Sequence, residues 1–216
     1  MDKKKVVMSK TRVKTVYLIL FFLSALFLNT TAVFATDYIL YVRARGELGK
    51  ELRTYWNAVL KDEDISHHAI RDYPPHCSLT GFFPKKKSSE FYIQAVEDAI
   101  QQQGAKPRTI TIKGLVQGNQ NQKLDYIKLS SSFLFAVAQA FLSNASIPDK
   151  YLKKPQSFPY HITLRKHKFL RKVAKKMEKI QSLENKIDLT AQVSWSLFLY
   201  EKENKKELKM IKEFPL

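Results

Sequence analysis

The feature that most constrains the fold of this 216-residue chain is a four-residue pattern that occurs twice. The segments His76-Cys77-Ser78-Leu79 and His161-Ile162-Thr163-Leu164 both consist of histidine, any residue, a hydroxyl residue and leucine. Side chains alternate between the two faces of a strand, so each histidine shares a face with its hydroxyl partner, and each leucine points to the other face. The pattern predicts two strands that present an imidazole and a hydroxyl to the same side.

The elements predicted around these two tetrads follow the same order in two halves of the chain. Apolar spacing and turn residues predict the order β-α-β-α-β-β-α-β-α-β-β. The predicted segments are Tyr38–Arg43, Glu47–Leu60, His76–Phe83, Ser88–Gln103, Thr109–Val116, Leu124–Leu129, Ser131–Leu142, Tyr160–Arg165, Lys168–Leu183, Val193–Tyr200 and Leu208–Lys212. Each histidine strand is followed by a helix and a further strand, which indicates an internal duplication.

Residues 1–35 have the layout of a secretory signal peptide. A basic segment precedes the apolar run Val16–Leu28, and Val33-Phe34-Ala35 has small residues where a cleavage site requires them. We therefore expect cleavage before Thr36, a single domain over residues 36–216, and export to the periplasm or the medium. The alternative is an uncleaved anchor, and even a cleaved segment implies transient membrane contact.

The charge of the chain favours an anionic partner. The net charge of +17 falls to +12 after residues 1–35 are removed, because they carry six basic residues and one acidic residue. Such an excess is typical of proteins that bind nucleotides, nucleic acid or phospholipid surfaces. Cys77 is the single cysteine, so no intrachain disulfide can form, and we expect a monomer.

No residue pattern predicts a metal or another cofactor. His67, His68 and His167 do not stand at metal-ligand spacing with carboxylates or thiolates. A nucleophilic Cys77 activated by His76 is excluded by the strand geometry, since adjacent strand residues face opposite sides. We expect Cys77 to be a buried structural residue.

The two tetrads, HCSL and HITL, resemble those of the two-histidine phosphoesterase superfamily, which includes RNA 2′,3′-cyclic and 2′,5′-oligoadenylate phosphodiesterases. The resemblance implies an α+β fold in which two pseudo-symmetric lobes of antiparallel sheet form a central cleft, with helices on the outside. It also implies that His76 and His161 are catalytic and that Ser78 and Thr163 bind the substrate.

The chemistry of the residues agrees with this expectation. Hydrolysis of a phosphodiester needs a base for water and an acid for the departing oxygen, and imidazole performs both roles near neutral pH. Ser78 and Thr163 would donate hydrogen bonds to the non-bridging oxygens, and Thr80 and Arg165 come next on the same faces. A metal-independent nucleotide or RNA phosphodiesterase is therefore expected. The alternative is an exported, non-catalytic module that binds nucleotides or RNA.

Overall fold

The computed structural model describes residues 36–61, 74–104, 107–117, 124–154, 159–166, 174–203 and 207–216. All of these residues belong to one compact unit. The predicted signal peptide, residues 1–35, lies outside the described residues, and its cleavage stays a prediction. Within the described residues, no helix is both long and apolar enough to cross a membrane.

The chain alternates between strands and helices throughout. In chain order the elements are β1 (Asp37–Arg45), α1 (Gly46–Lys61), β2 (Cys77–Ser78), β3 (Phe83–Pro84), α2 (Ser89–Gln102), β4 (Thr111–Val116), β5 (Leu124–Ser130), α3 (Ser132–Asn144), a short 3-10 helix (Asp149–Tyr151), β6 (His161–Lys166), α4 (Ala174–Glu184), β7 (Val193–Glu203) and β8 (Glu207–Pro215).

The strands form two antiparallel sheets. The larger sheet has the order β2-β1-β7-β8, with β3 also paired to β1, and the smaller sheet has the order β4-β5-β6. The predicted α+β class with two antiparallel sheets is confirmed.

The topology repeats in the two halves of the chain. From β2 the chain passes through α2 and enters the other sheet as β4, and from β6 it passes through α4 and enters the other sheet as β7. The order β2-β1-β7 therefore corresponds to β6-β5-β4, with β1 and β5 at the two centres. Each half of the chain contributes one strand, β4 or β7, to the sheet of the other half. This arrangement matches the duplication predicted from element order.

The helices form where apolar spacing and capping residues predict them. The buried face of α1 consists of residues three or four apart, namely Leu48, Leu52, Tyr55, Trp56 and Val59. Ser88 caps α2 by accepting a hydrogen bond from the backbone of Phe91, and Ser131 caps α3 by accepting one from Leu134. These helices pack against the sheets and form the main core with one face of β1, where Tyr38, Leu40 and Val42 are fully buried.

The segment that was predicted to be one strand, His76–Phe83, is instead two strands of two residues each. The backbone N–H groups of Leu79 and Thr80 both donate to the carbonyl of Leu40, and the N–H of Gly81 donates to Tyr151. The Thr80 hydroxyl accepts the N–H of Leu40 at 3.0 Å. These bonds replace the regular ladder after Ser78, and they bury Thr80 completely. The expectation that Thr80 shares the exposed face of His76 is therefore wrong.

The helix that was predicted over Lys168–Leu183 is described from Ala174 onward. Residues 167–173 lie outside the described residues. The other helices and strands agree with their predicted bounds within a few residues, and the last two strands extend further, to Glu203 and Pro215.

Candidate active site

The two histidine strands come into contact although they belong to different sheets. β2 lies at the end of the larger sheet and β6 at the end of the smaller one, and the two strands pack against each other. The thiol of Cys77 accepts a hydrogen bond from the backbone of His161 at this junction. The fold thus brings together the two tetrads, which stand 85 positions apart in the chain.

Both imidazoles form the same type of hydrogen bond, from the ring to the backbone carbonyl of a proline. The Nδ1–H of His76 donates to the carbonyl oxygen of Pro74 across 2.8 Å, and that of His161 donates to Pro159 across 2.9 Å. A carbonyl oxygen only accepts hydrogen bonds, so the bond places the proton on Nδ1 in both rings. Nε2 is then the atom that gains and loses a proton during acid–base chemistry.

Each imidazole also lies against a tyrosine from the neighbouring strand. Tyr41 pairs with Ser78 across β1 and β2, and Tyr126 pairs with Thr163 across β5 and β6. The ring centroids of Tyr41 and His76 are 3.9 Å apart in a stacked arrangement, whereas those of Tyr126 and His161 are 5.3 Å apart with an edge-to-face orientation. The tyrosines were not predicted as partners of the histidines.

A constant spacing in the sequence connects these parts. The same 85 positions separate the members of five pairs, which are Tyr41 and Tyr126, Arg43 and Lys128, Pro74 and Pro159, His76 and His161, and Ser78 and Thr163. A search for recurring residues at one fixed separation, rather than for recurring elements, finds the tyrosines and prolines from the sequence alone.

The alternation predicted for the tetrads is present. His76, Ser78, His161 and Thr163 are half-buried. The residues on the opposite face are buried in the main core, namely Cys77, Leu79, Ile162 and Leu164. The four residues predicted to form the site thus lie on the accessible faces of two strands that meet, and their roles in catalysis and binding stay predictions. The side chain of Arg165 lies outside the described part of the chain.

Cys77 is a core residue. It is 1% exposed, and burial raises the pKa of its thiol to about 12, an effect that the hydrogen bond from the His161 backbone only partly opposes. Desolvation disfavours the thiolate, which is the nucleophilic form of cysteine.

Among the residues that the structure describes, no group of three or more histidine, cysteine or carboxylate side chains is placed to hold a metal ion. His67, His68 and His167, which were weighed as metal ligands, lie outside the described residues. Metal independence therefore stays a prediction to be tested in solution.

Comparison with known proteins gives a similarity of fold. No protein-family model and no curated protein matches the chain. Among solved structures, E. coli LigT complexed with 3′-AMP is 12% identical, with coverage of 84% of this chain and 98% of LigT and a TM-score of 0.49. A protein described as a phosphoesterase is 13% identical, with coverage of 84% and 98% and a TM-score of 0.44. Usb1 of Kluyveromyces marxianus, with uridine monophosphate, is 14% identical, with coverage of 85% and 99% and a TM-score of 0.38.

The chain is thus similar to these three solved structures over most of its length, and one of them is described as a phosphoesterase. At such identities the similarity concerns the fold alone. The function proposed below is derived from the surroundings of the two histidines.

Proposed function

We propose that this protein is a metal-independent phosphodiesterase that hydrolyses a 2′,3′-cyclic or 2′,5′-linked phosphodiester of a nucleotide or RNA. The observation that carries the proposal is the matched arrangement of His76 and His161. Both rings donate from Nδ1 to a proline carbonyl, and both share a strand face with a hydroxyl residue. Binding alone does not require two imidazoles oriented in the same way, whereas acid–base catalysis by a pair does.

In the proposed reaction the two Nε2 atoms have opposite roles. One neutral imidazole accepts a proton from water, and the oxygen of that water forms a new bond to phosphorus. The bond between phosphorus and the departing ribose oxygen breaks, and the other imidazole, which begins protonated, gives its proton to that oxygen. One water molecule is consumed, and the product is a 2′- or 3′-phosphomonoester when the substrate is a cyclic phosphate.

Ser78 and Thr163 are the proposed substrate-binding residues. Each lies two residues after its histidine on the same strand face, so its hydroxyl is directed to the same side as the imidazole. Hydroxyl donors aimed at the non-bridging oxygens stabilise the negative charge that builds up there in the transition state. No cofactor is required by this scheme.

We further propose that the protein is an exported monomer that acts in the periplasm or outside the cell. This proposal is supported by the basic and apolar segments of residues 1–35 and by the small residues before Thr36. Mass spectrometry of the protein recovered from its native compartment tests it: a mature N-terminus at Thr36 agrees with export and cleavage, and an intact Met1 contradicts it.

The experiment that tests the activity is incubation of the purified protein with nucleoside 2′,3′-cyclic phosphates and short 2′,5′- and 3′,5′-linked oligonucleotides, with and without excess chelator. We expect chelator-resistant release of a phosphomonoester from at least one substrate, resolved by chromatography as the 2′ or the 3′ isomer. Tight binding of these compounds without any turnover would contradict the proposal and favour a binding module.

A further inference from the structure

The sheet face that carries His76 also carries an arginine that the proposed reaction does not use. Tyr41 pairs with Ser78 and Val42 with Cys77, so the next pair in this register sets Arg43 beside His76. Arg43 lies two residues after Tyr41 and therefore on the same face of β1. This is the face on which Tyr41 stacks against the His76 ring.

Arg43 is held away from His76, over the neighbouring strand. Its Nη1–H donates to the hydroxyl of Tyr200 across 3.0 Å, and its Cζ atom lies 5.1 Å from the ring centroid of Phe198. Phe198 is fully buried and Tyr200 is 9% exposed, so the guanidinium rests on a fixed aromatic base. Such support reduces the conformational entropy that the side chain loses when it binds an anion.

Among the described side chains, Arg43 forms no direct ion pair with a carboxylate, and the Glu213 carboxylate interacts with it only electrostatically. The contrast is Arg45, which also lies over Phe198 but forms two hydrogen bonds with the carboxylate of Glu213, at 2.8 Å and 2.5 Å. Of the five N–H donors of a guanidinium, the bond to Tyr200 uses one. Arg43 therefore keeps unused donors for an anion on this face, and Glu213, which is bonded to Arg45, offsets its charge only in part.

The distance across the sheet indicates which anionic group of a substrate Arg43 could bind. β7, which carries Phe198, is separated from β2 by β1, and two strand spacings amount to roughly 10 Å. A guanidinium over Phe198 is therefore too far from the His76 strand to bind the oxygens of the phosphate group that reacts beside His76. It is placed for an anionic group elsewhere on the same substrate. Lys202, on the same strand as Phe198 and four residues further on, adds a second cation to this face.

We propose that Arg43, supported by Tyr200 and Phe198, binds a second phosphate of the substrate on the His76 side of the site. This inference rests on the proposed function. It assigns the enzyme a preference for substrates in which a phosphodiester adjoins the reacting one, such as an oligonucleotide that ends in a 2′,3′-cyclic phosphate. A mononucleoside cyclic phosphate lacks that group.

The test compares uridine 2′,3′-cyclic phosphate with the dinucleotide UpU that ends in a 2′,3′-cyclic phosphate. We expect the native protein to have the higher kcat/KM on the dinucleotide. The preference is measured as the kcat/KM on the dinucleotide divided by the kcat/KM on the mononucleotide. Arg43→Gln should lower this ratio by about ten-fold or more, since a charge-assisted bidentate contact with phosphate is lost. Tyr200→Phe, which keeps the ring and removes the hydroxyl that holds Arg43, should lower the ratio by a smaller factor.

Lys128→Gln is the matched control. Lys128 stands 85 positions after Arg43 and opposite His161, but its side chain is exposed. The ratio should not change in this variant. An equal loss on both substrates in Arg43→Gln, or a native protein without any preference for the dinucleotide, would overturn the inference. Thermal unfolding of each variant identifies a loss that comes from misfolding, and in that case Arg43→Lys, which keeps the charge, must retain part of the ratio.

A binding measurement separates this inference from the proposed function. Calorimetry with UpU ending in a 3′-phosphate and with 3′-UMP reports the second phosphate without any turnover. If no substrate is hydrolysed but Arg43→Gln removes the tighter binding of the dinucleotide, the catalytic proposal fails and the phosphate site stands. If hydrolysis is observed and the two ligands bind equally well to the native protein, the phosphate site fails alone.

Discussion

The surroundings of His76 and of His161 share the same types of contact but differ in the geometry of those contacts and in the residues nearby. In both, Nδ1 is bonded to the carbonyl of a proline two residues earlier, and a tyrosine on the adjacent central strand contacts the ring. Around His76 the tyrosine is stacked at 3.9 Å and the nearby Arg43 is supported by Tyr200. Around His161 the tyrosine is edge-on at 5.3 Å.

The features that the two surroundings share are those that the proposed proton transfer requires. The features that differ are those that would contact the substrate. Proton transfer to and from a phosphodiester requires two imidazoles with the same tautomer and controlled orientation, and this is the part that the two surroundings share. A nucleotide or RNA substrate has different groups on the two sides of its phosphorus, so the groups around the imidazoles have no reason to match. Under the proposed function, the aromatic and cationic residues near His76 would face the bulkier, more anionic part of the substrate.

The largest effect is expected when either of the two histidines is replaced. His76→Ala and His161→Ala should each lower kcat/KM by about a hundred-fold or more, the usual contribution of a general acid or base. The double variant should lose little more than the worse single variant, because residues that act as a unit are strongly non-additive. Steady-state kinetics with the best substrate of the panel checks both statements.

The pH profile of the native protein belongs to the same prediction. It should be bell-shaped, with limbs that report apparent pKa values of the pair rather than of either residue. A folded His161→Ala protein with near-native kcat/KM on every substrate would show that His161 is not required, and it would contradict the proposed mechanism.

The fold was predictable where local signals and tertiary contacts agree. Ser88 and Ser131 cap the helices that their positions predict, and the apolar stripe of α1 is buried as expected. The segment after Ser78 differs, because its backbone bonds go to Leu40 and Tyr151, which are distant in the chain. Such bonds leave no mark in the local pattern, so neither the break in the strand nor the burial of Thr80 was visible from the sequence.

The placement of the two histidines and their hydroxyl partners on accessible strand faces was predictable, and the residues that contact the histidines were less so. The two tetrads alone locate His76 and His161, together with their hydroxyl partners. The roles of Tyr41, Tyr126 and the two proline carbonyls become visible in the sequence only through their common separation of 85 positions. The support of Arg43 by Tyr200 depends on pairing between β1 and β7, which are 157 positions apart at this bond, and no local pattern records it.

The second expected effect concerns the hydroxyls. Ser78→Ala and Thr163→Ala should each slow turnover by about ten- to a thousand-fold, the range for loss of one donor to a transition-state oxyanion. Ser78→Thr and Thr163→Ser keep a hydroxyl on the same strand face and serve as matched controls, which should retain most of the activity. If both alanine variants turn over at the native rate and with native substrate affinity, the proposed strand faces are wrong.

The third expected effect separates the two tyrosines. Tyr41→Leu should lower kcat by up to about ten-fold and Tyr126→Leu by about two-fold, because aromatic contacts contribute about 0.5–1.5 kcal/mol and the stacked ring restrains its imidazole more closely. Tyr41→Phe should restore most of the rate, since it keeps the stacked ring. The comparison is made with kcat, and unfolding midpoints identify losses that come from destabilisation. A larger loss in Tyr126→Leu than in Tyr41→Leu would reverse the assignment of the tighter support to His76.

The smallest expected effect on activity is at Cys77, which occupies the position equivalent to Ile162 where the two strands meet. Cys77→Ala should keep kcat/KM within about three-fold of the native value, since the thiol faces the core and takes no part in proton transfer. Burial raises its pKa from the ordinary value of 9.0 to about 12. In the folded protein the thiol therefore stays protonated at pH 9–10, while in the unfolded chain it ionises.

This thiol accordingly contributes stability that is fully present below pH 9, its unfolded pKa, and is lost progressively as the pH rises toward about 12. The free energy of unfolding in urea should fall more steeply between pH 8 and pH 10 in the native protein than in Cys77→Ala. Burial keeps the pKa of Tyr160, the group that interacts electrostatically with Cys77, raised in both proteins. A thiol reagent at pH 8 should label Cys77 rapidly in denaturant and slowly without it. Equal labelling rates in the two conditions would place Cys77 at the surface, and the junction between the two histidine strands would then be open rather than packed.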